Sequence, residues 1–133
     1  MVNLAGKMDL FSIVYVGSPE EAVHMAKNGA DAIIAHVGTT VGGSIGVTNA
    51  VVSWEDTIQR TQAIIDAAKT VRDDIFYLCH GGPINTPEDA DRVIQSTDCV
   101  VFVGASSLER MGIEASLTNL TREFKSISVK RNN

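Results

Sequence analysis

Residues 19–38 read PEEAVHMAKNGADAIIAHVG. The stretch opens on helix-start chemistry. Ser18 precedes Pro19, Glu20 and Glu21, which places an N-cap serine before a proline at the first helical position and a carboxylate at the third. It closes on DAIIAHV (31–37), a nearly continuous apolar run of strand length. Such a run suits a parallel strand buried on both faces better than a half-exposed antiparallel one. The same grammar returns at 87–104, PEDADRVIQSTDCVVFVG, with two residues gapped. Proline, the first glutamate, an alanine, the aspartate before the strand, a valine and the terminal glycine all match. One helix–strand block therefore occurs twice, and the chain reads as two copies of a βαβα unit.

The rest of the chain fits around these blocks. FSIVYV (11–16), IFYLCH (75–80) and CVVFVGA (99–105) are further apolar runs of strand length. Ser53-Trp54-Glu55-Asp56 caps a longer helix with Ile58, Thr61, Ile65 and Ala68 on one face, and Ile113, Leu117, Leu120 and Phe124 mark a last amphipathic helix. Strands alternating with helices imply an α/β fold with a parallel sheet and right-handed crossovers. A flavodoxin-like or Rossmann sheet also satisfies that order. In those folds the ligand lies at a switch point, usually beside an early glycine turn. Here the first strand ends in YVGSPEEA, a bare helix start, and glycines follow strands two, three and four. Glycine-rich loops after successive strands are the logic of a barrel with its site at the strand C-termini. A full barrel has eight strands in about 250 residues, so 133 residues make a (βα)4 half. The expected division is a lead-in over 1–8, the half barrel over 9–127 and a frayed tail over 128–133.

Composition narrows the function. The chain is 44% hydrophobic and 20% charged, as in ordinary globular domains, with a net charge of −5. That balance speaks against a nucleic-acid surface, though backbone N–H groups can bind a small anion without lysine. No apolar run approaches the ~20 residues of a membrane span, and a cytoplasmic location is expected. Cys79 and Cys99 sit in apolar runs and read as buried thiols. No strand ends in Asp or Glu, and HExxH and CxxC are missing, so no metal or other cofactor is expected. His24 reads as a surface or interface residue and Trp54 as a packing anchor.

Three segments carry chemistry. The first is HVGTTVGGSIG (36–46). Gly38-x-x-x-x-Gly43-Ser44 has phosphate-loop spacing, but serine stands where the lysine belongs and the helix waits until Ser53, so a P-loop is rejected. What remains is a long loop with Gly38, Thr39, Gly42, Gly43 and Ser44 as ligand-binding candidates, either a plain surface loop or a lid over an anion. The second is Cys79-His80-Gly81-Gly82-Pro83, in which Gly81 and Gly82 make room for backbone amides to face an anion and His80 can act as general acid or base. Cys79 and His80 are not a nucleophile pair, because adjacent strand residues face opposite sides. The third is Gly104-Ala105-Ser106-Ser107 before a helix start, with Arg110 nearby. Barrel enzymes often bind phosphate on the loops after their last two strands.

HVGTTVGGSIG, LCHGGPINTPEDA and FVGASSLER, in that order and spacing, resemble the phosphoenolpyruvate hydrolase-like TIM-barrel family, over roughly residues 9–127. This family also forms the C-terminal domain of tobamovirus-resistance-like proteins. The resemblance implies a complete (βα)8 barrel of which this sequence is the C-terminal half, and a hydrolase or lyase acting on a small phosphorylated or carboxylated metabolite, with His80 and His36 moving protons. The competing expectation is a non-catalytic metabolite-sensing or protein-interaction module. A half barrel leaves two sheet edges and an apolar face uncovered, so a homodimer or higher oligomer is expected.

Overall fold

The computed structural model describes residues 1–39, 41 and 52–126. Its strands are β1 (Ile13–Val16), β2 (Ala32–His36), β3 (Phe76–His80) and β4 (Val101–Phe102). They form one sheet in the order β1-β2-β3-β4, every pair parallel. The helices are α1 (Val2–Lys7), α2 (Pro19–Lys27), α3 (Trp54–Lys69), α4 (Pro87–Ser96) and α5 (Gly112–Lys125), the last preceded by a π-helical turn, Ser107–Met111. Sequential neighbours throughout, with a helix in each crossover, make a four-stranded α/β sheet like part of a TIM barrel. Helix α1 lies in the lead-in, where the sequence pattern predicts no element. The frayed-tail expectation concerns residues outside the described range.

The helix starts follow their sequence signals. Ser18 Oγ accepts from Glu21 N–H, and Ser53 Oγ from Asp56 N–H. Thr86 and Asp89 form a reciprocal capping box. Each cap satisfies N–H groups that have no partner within the helix.

One core lies between the sheet and the helices. Strand alternation sends Val14, Val16, Ile33, Ala35, Tyr77, Cys79 and Phe102 to the helix side, where they meet Ala22, Ala26, Ile64, Ile65, Ala68, Ala90 and Val93. The alanines allow α2 and α3 to pack closely on the strands. Thr57 and Thr61 are fully buried on α3, and their hydroxyls donate to the Ser53 and Thr57 carbonyls one turn back. Trp54 is half-buried against this core, with the Arg92 guanidinium 4.7 Å from its ring centroid. His24 is exposed on α2, beside Asn28. No helix among the described residues is long and apolar enough to cross a membrane.

Among the described residues no helix packs across the opposite sheet face. Register aligns Ile13, Ala32 and Phe76 in one row, then Tyr15, Ile34, Leu78 and Val101, then His36 and His80. Ile13, Tyr15, Phe76 and Val101 keep about half their surface exposed, at 55%, 52%, 58% and 48%. This is the face that a closed barrel turns inward.

Candidate functional site

The C-terminal ends of the strands collect the chemistry. His36 ends β2, His80 ends β3, and the two are register partners. Their ring centroids lie 5.2 Å apart. Tyr15, from β1, meets both edge-on, at 6.0 Å from His36 and 5.2 Å from His80. Strand alternation explains the cluster. Tyr15 lies beside Ile34, two residues before His36, so all three side chains share the uncovered face. Tyr15 escaped the sequence reading because FSIVYV looks uniformly apolar. The register with β2 reveals its place.

The two histidines are anchored differently. His80 is buried, at 9% exposure, and its Nδ1 lies 2.7 Å from the Val103 carbonyl, just past β4. His36 is half-buried, and its Nδ1 accepts from the Gly38 N–H at 3.3 Å. Each ring thus has one nitrogen held by backbone, and among the described residues neither Nε2 has a hydrogen-bond partner. Cys79, beside His80 in sequence, points into the helix-side core, as alternation requires. Cys79 and Cys99 are free and buried. Hydrogen bonding to Cys79 and burial push the Cys99 thiol well above the ordinary range, so it stays a protonated, unreactive thiol.

The loops after β2 and β3 are laced together. Val37 N–H donates to the His80 carbonyl, Gly82 N–H to Gly38, and Val41 N–H to Gly82, at 3.2, 2.8 and 3.0 Å. Asn85 Nδ2 donates to the Val41 carbonyl at 2.7 Å. The Gly82 amide is therefore committed to a structural bond. Gly81 has φ +82°, and a Cβ there would run into the Gly38 carbonyl. Glycine at 81 lets these two loops approach, which in turn sets His36 and His80 side by side.

After β4, Gly104 packs beneath Leu108, whose side chain occupies the space a Cβ would need. The Ala105 carbonyl accepts from the Leu108 and Glu109 N–H groups. Ser106 and Ser107 are half-buried at the start of the π-helical turn, and the Ser106 hydroxyl makes no cap bond. Such turns recur at functional sites. Arg110 is held by Glu114 at 2.7 Å, which offsets its charge locally. Thr39 is exposed and Gly38 half-exposed beside the histidines. Gly42, Gly43 and Ser44 lie outside the described residues. Among the described residues no group of three or more His, Cys, Asp or Glu is placed to hold a metal ion.

The chain is similar to several known proteins. The chain is 45% identical over 131 residues to the ToMV susceptible protein tm-1(GCR26) and to the ToMV resistance protein Tm-1(GCR237), both of Solanum lycopersicum. Each match covers 98% of this chain and 17% of the relative, so the chain spans about a sixth of those proteins' length. Among solved structures, the N-acetylmannosamine-6-phosphate 2-epimerase of Clostridium perfringens superposes with a TM-score of 0.54 at 18% identity. That match covers 96% of this chain and 47% of the epimerase, a likeness of fold alone. The family model described as phosphoenolpyruvate hydrolase-like matches residues 1–127, and with nearly the whole chain inside it, the protein belongs to the phosphoenolpyruvate hydrolase-like family.

Proposed function

We propose that the strand C-termini bind a small phosphorylated or carboxylated metabolite and that His80 and His36 move protons on it, in a hydrolase or lyase reaction. The observation that carries this reading is the convergence of Tyr15, His36 and His80 at one end of a parallel sheet, beside the loops after β2, β3 and β4. Parallel α/β sheets position ligands at that end. The half-buried Ser106 and Ser107 hydroxyls and the backbone around Gly104 and Ala105 supply anion-binding groups on one side. Gly38, Thr39 and Gly81 line the other, and Gly42, Gly43 and Ser44, which lie outside the described residues, are further ligand-binding candidates. Membership of a family described by phosphoenolpyruvate hydrolysis supports an anionic substrate. The test is titration of the protein with phosphoenolpyruvate and pyruvate, followed by NMR and by product assay. Binding that His80→Ala weakens, together with turnover, is expected. Binding without turnover favours a metabolite-sensing module instead, and neither binding nor turnover overturns both.

A second copy of the chain closes the barrel in this reading. Two features support it. The uncovered face exposes Phe11, Ile13, Tyr15, Phe76 and Val101, and α5 buries none of its described residues. Ile113, Leu117, Leu120 and Phe124 all stay more than half exposed on α5, whose main contacts are with the π-helical turn before it. In a barrel, the helix after a strand covers the next strand as well, and among the described residues β4 is an edge of the sheet. At the other edge, α1 and β1 line an apolar groove of about 440 Å³ that includes Leu4, Met8, Leu10 and Phe11. A two-fold axis sets the β4–α5 edge of each copy against the α1–β1 edge of the other. A stable interface buries about 800 Å² per partner, and the half-exposed side chains at these two edges are the apolar surface available for it. Light scattering at micromolar concentration should give twice the chain mass, and a monomer would sink the closure.

A further inference from the structure

His36 and His80 are held as opposite tautomers. A backbone N–H can only donate and a carbonyl oxygen can only accept. The Gly38 N–H donates to His36 Nδ1, so in the neutral ring the proton of His36 sits on Nε2. The Val103 carbonyl accepts from His80 Nδ1, so the neutral His80 ring carries its proton there and keeps a lone pair on Nε2. One ring offers an N–H donor and its neighbour offers a base, with centroids 5.2 Å apart. A carbonyl compound presents the matching pair of groups, an oxygen that accepts and an acidic C–H on the adjacent carbon.

We infer that the pair enolises a small carbonyl compound with an acidic hydrogen α to the carbonyl, His80 as the base and His36 as the oxygen's donor. This rests on reading the strand ends as the active site. In the step, the α-C–H bond breaks and its proton passes to His80 Nε2. The bonding pair becomes the C=C of the enolate, and the carbonyl π pair moves to oxygen, where it accepts from His36 Nε2–H. The resulting imidazolium of His80 keeps its Nδ1–H on the Val103 carbonyl, which stabilises the new charge. Reversal returns the proton to carbon, and no oxidant or further reactant is required. Tyr15, edge-on to both rings, is a positioning residue that limits their rotation.

Two measurements test this on the intact chain. Long-range proton–nitrogen NMR of histidine-labelled protein reads each tautomer directly. His36→Gln and His80→Gln assign the signals, and His24 is the third histidine. The expected result is Nε2–H on His36 and Nδ1–H on His80; the same tautomer on both, or the reverse, overturns the inference. Pyruvate in heavy water is the chemical probe, with deuterium entering its methyl group. Exchange should fall about 100-fold or more in His80→Gln and about as much in His36→Leu, which removes the donor. If pyruvate shifts the histidine signals yet takes up no deuterium, the enolisation fails while the binding reading stands. If pyruvate shifts nothing, the carbonyl substrate class is overturned, and phosphoenolpyruvate in the same experiment then decides the binding reading separately.

Discussion

At the residue scale, small differences in side-chain partners decide which groups are structural. Asp31 and Asp98 occupy the same place in the two helix–strand blocks, just ahead of β2 and β4. Asp31 Oδ2 accepts from both the Ser12 N–H and the Ser12 hydroxyl at 2.7 Å, which ties β1 to β2 at their entry. Asp98 accepts instead from Lys69 and Gln62, which ties the β4 entry to α3. The Ser12 backbone bond, then its hydroxyl, hold the Asp31 carboxyl below its ordinary value of 3.8. A folded value below the unfolded one means stability that is fully present above 3.8 and lost as pH falls through the lowered folded value. Asp31→Asn is therefore expected to lower the urea midpoint at pH 7, with the gap to the parent protein closing below pH 3.8, where protonation removes the same interaction. Gly81 makes the sharper prediction. Positive φ and the adjacent Gly38 carbonyl both oppose a side chain, so Gly81→Ala should cost at least about 2 kcal/mol in urea unfolding. It should also shift the NMR signals of His36 and His80, which the same loop contact aligns.

At the scale of elements, local signals were legible because they act within a few residues. Serine or threonine, proline and a carboxylate at fixed offsets specify a helix start whatever the rest of the chain does, and α2, α3 and α4 begin where those signals stand. The capping box on α4 is the most complete of them. Thr86→Ala should remove about 1 kcal/mol, measured by urea unfolding, while Thr86→Ser should restore most of it. Strand existence was legible from apolar runs, but strand extent was not. The run CVVFVGA spans seven residues, yet β4 comprises Val101 and Phe102 alone. Among the described residues only β3 pairs with it, and ladder hydrogen bonds on a second side are what would extend it. Helix α1 has Met1 as its N-cap, with no side-chain cap bond, so the start grammar had nothing to catch.

At the scale of the whole molecule, the uneven distribution of cover is the dominant feature. Helices α2, α3 and α4 shield one sheet face, while the other leaves apolar and aromatic side chains half exposed. Monomeric soluble proteins seldom present so large a contiguous apolar surface, because burying it elsewhere is worth about 25 cal/mol per Å². The proposed two-copy closure makes a direct prediction about α5. Leu117 and Phe124 are each more than half exposed within the chain, so charging both, in Leu117→Asp with Phe124→Asp, should leave far-ultraviolet circular dichroism unchanged while light scattering falls to the monomer mass. Loss of helical signal along with mass would mean α5 is held by its own chain. The same closure would bring two Tyr15–His36–His80 clusters to one barrel mouth, since parallel strands end together.

The sequence by itself determined the periodicities: four apolar runs, the capped helices between them, their alternation and therefore the parallel α/β class. These depend on spacing and on backbone chemistry local to each segment, so neighbours far along the chain cannot overrule them. It also placed His36 and His80 at strand ends, because strand alternation and the glycines that follow are visible in one dimension. Tertiary structure alone decided what those residues meet. Register put His36 beside His80 and Tyr15 against both, the laced loops committed the Gly82 amide to Gly38 and kept it from any ligand, and Val103 and Gly38 chose which nitrogen of each imidazole is held. Such choices depend on contacts between segments tens of residues apart, whose geometry is set only when the strands are paired and packed.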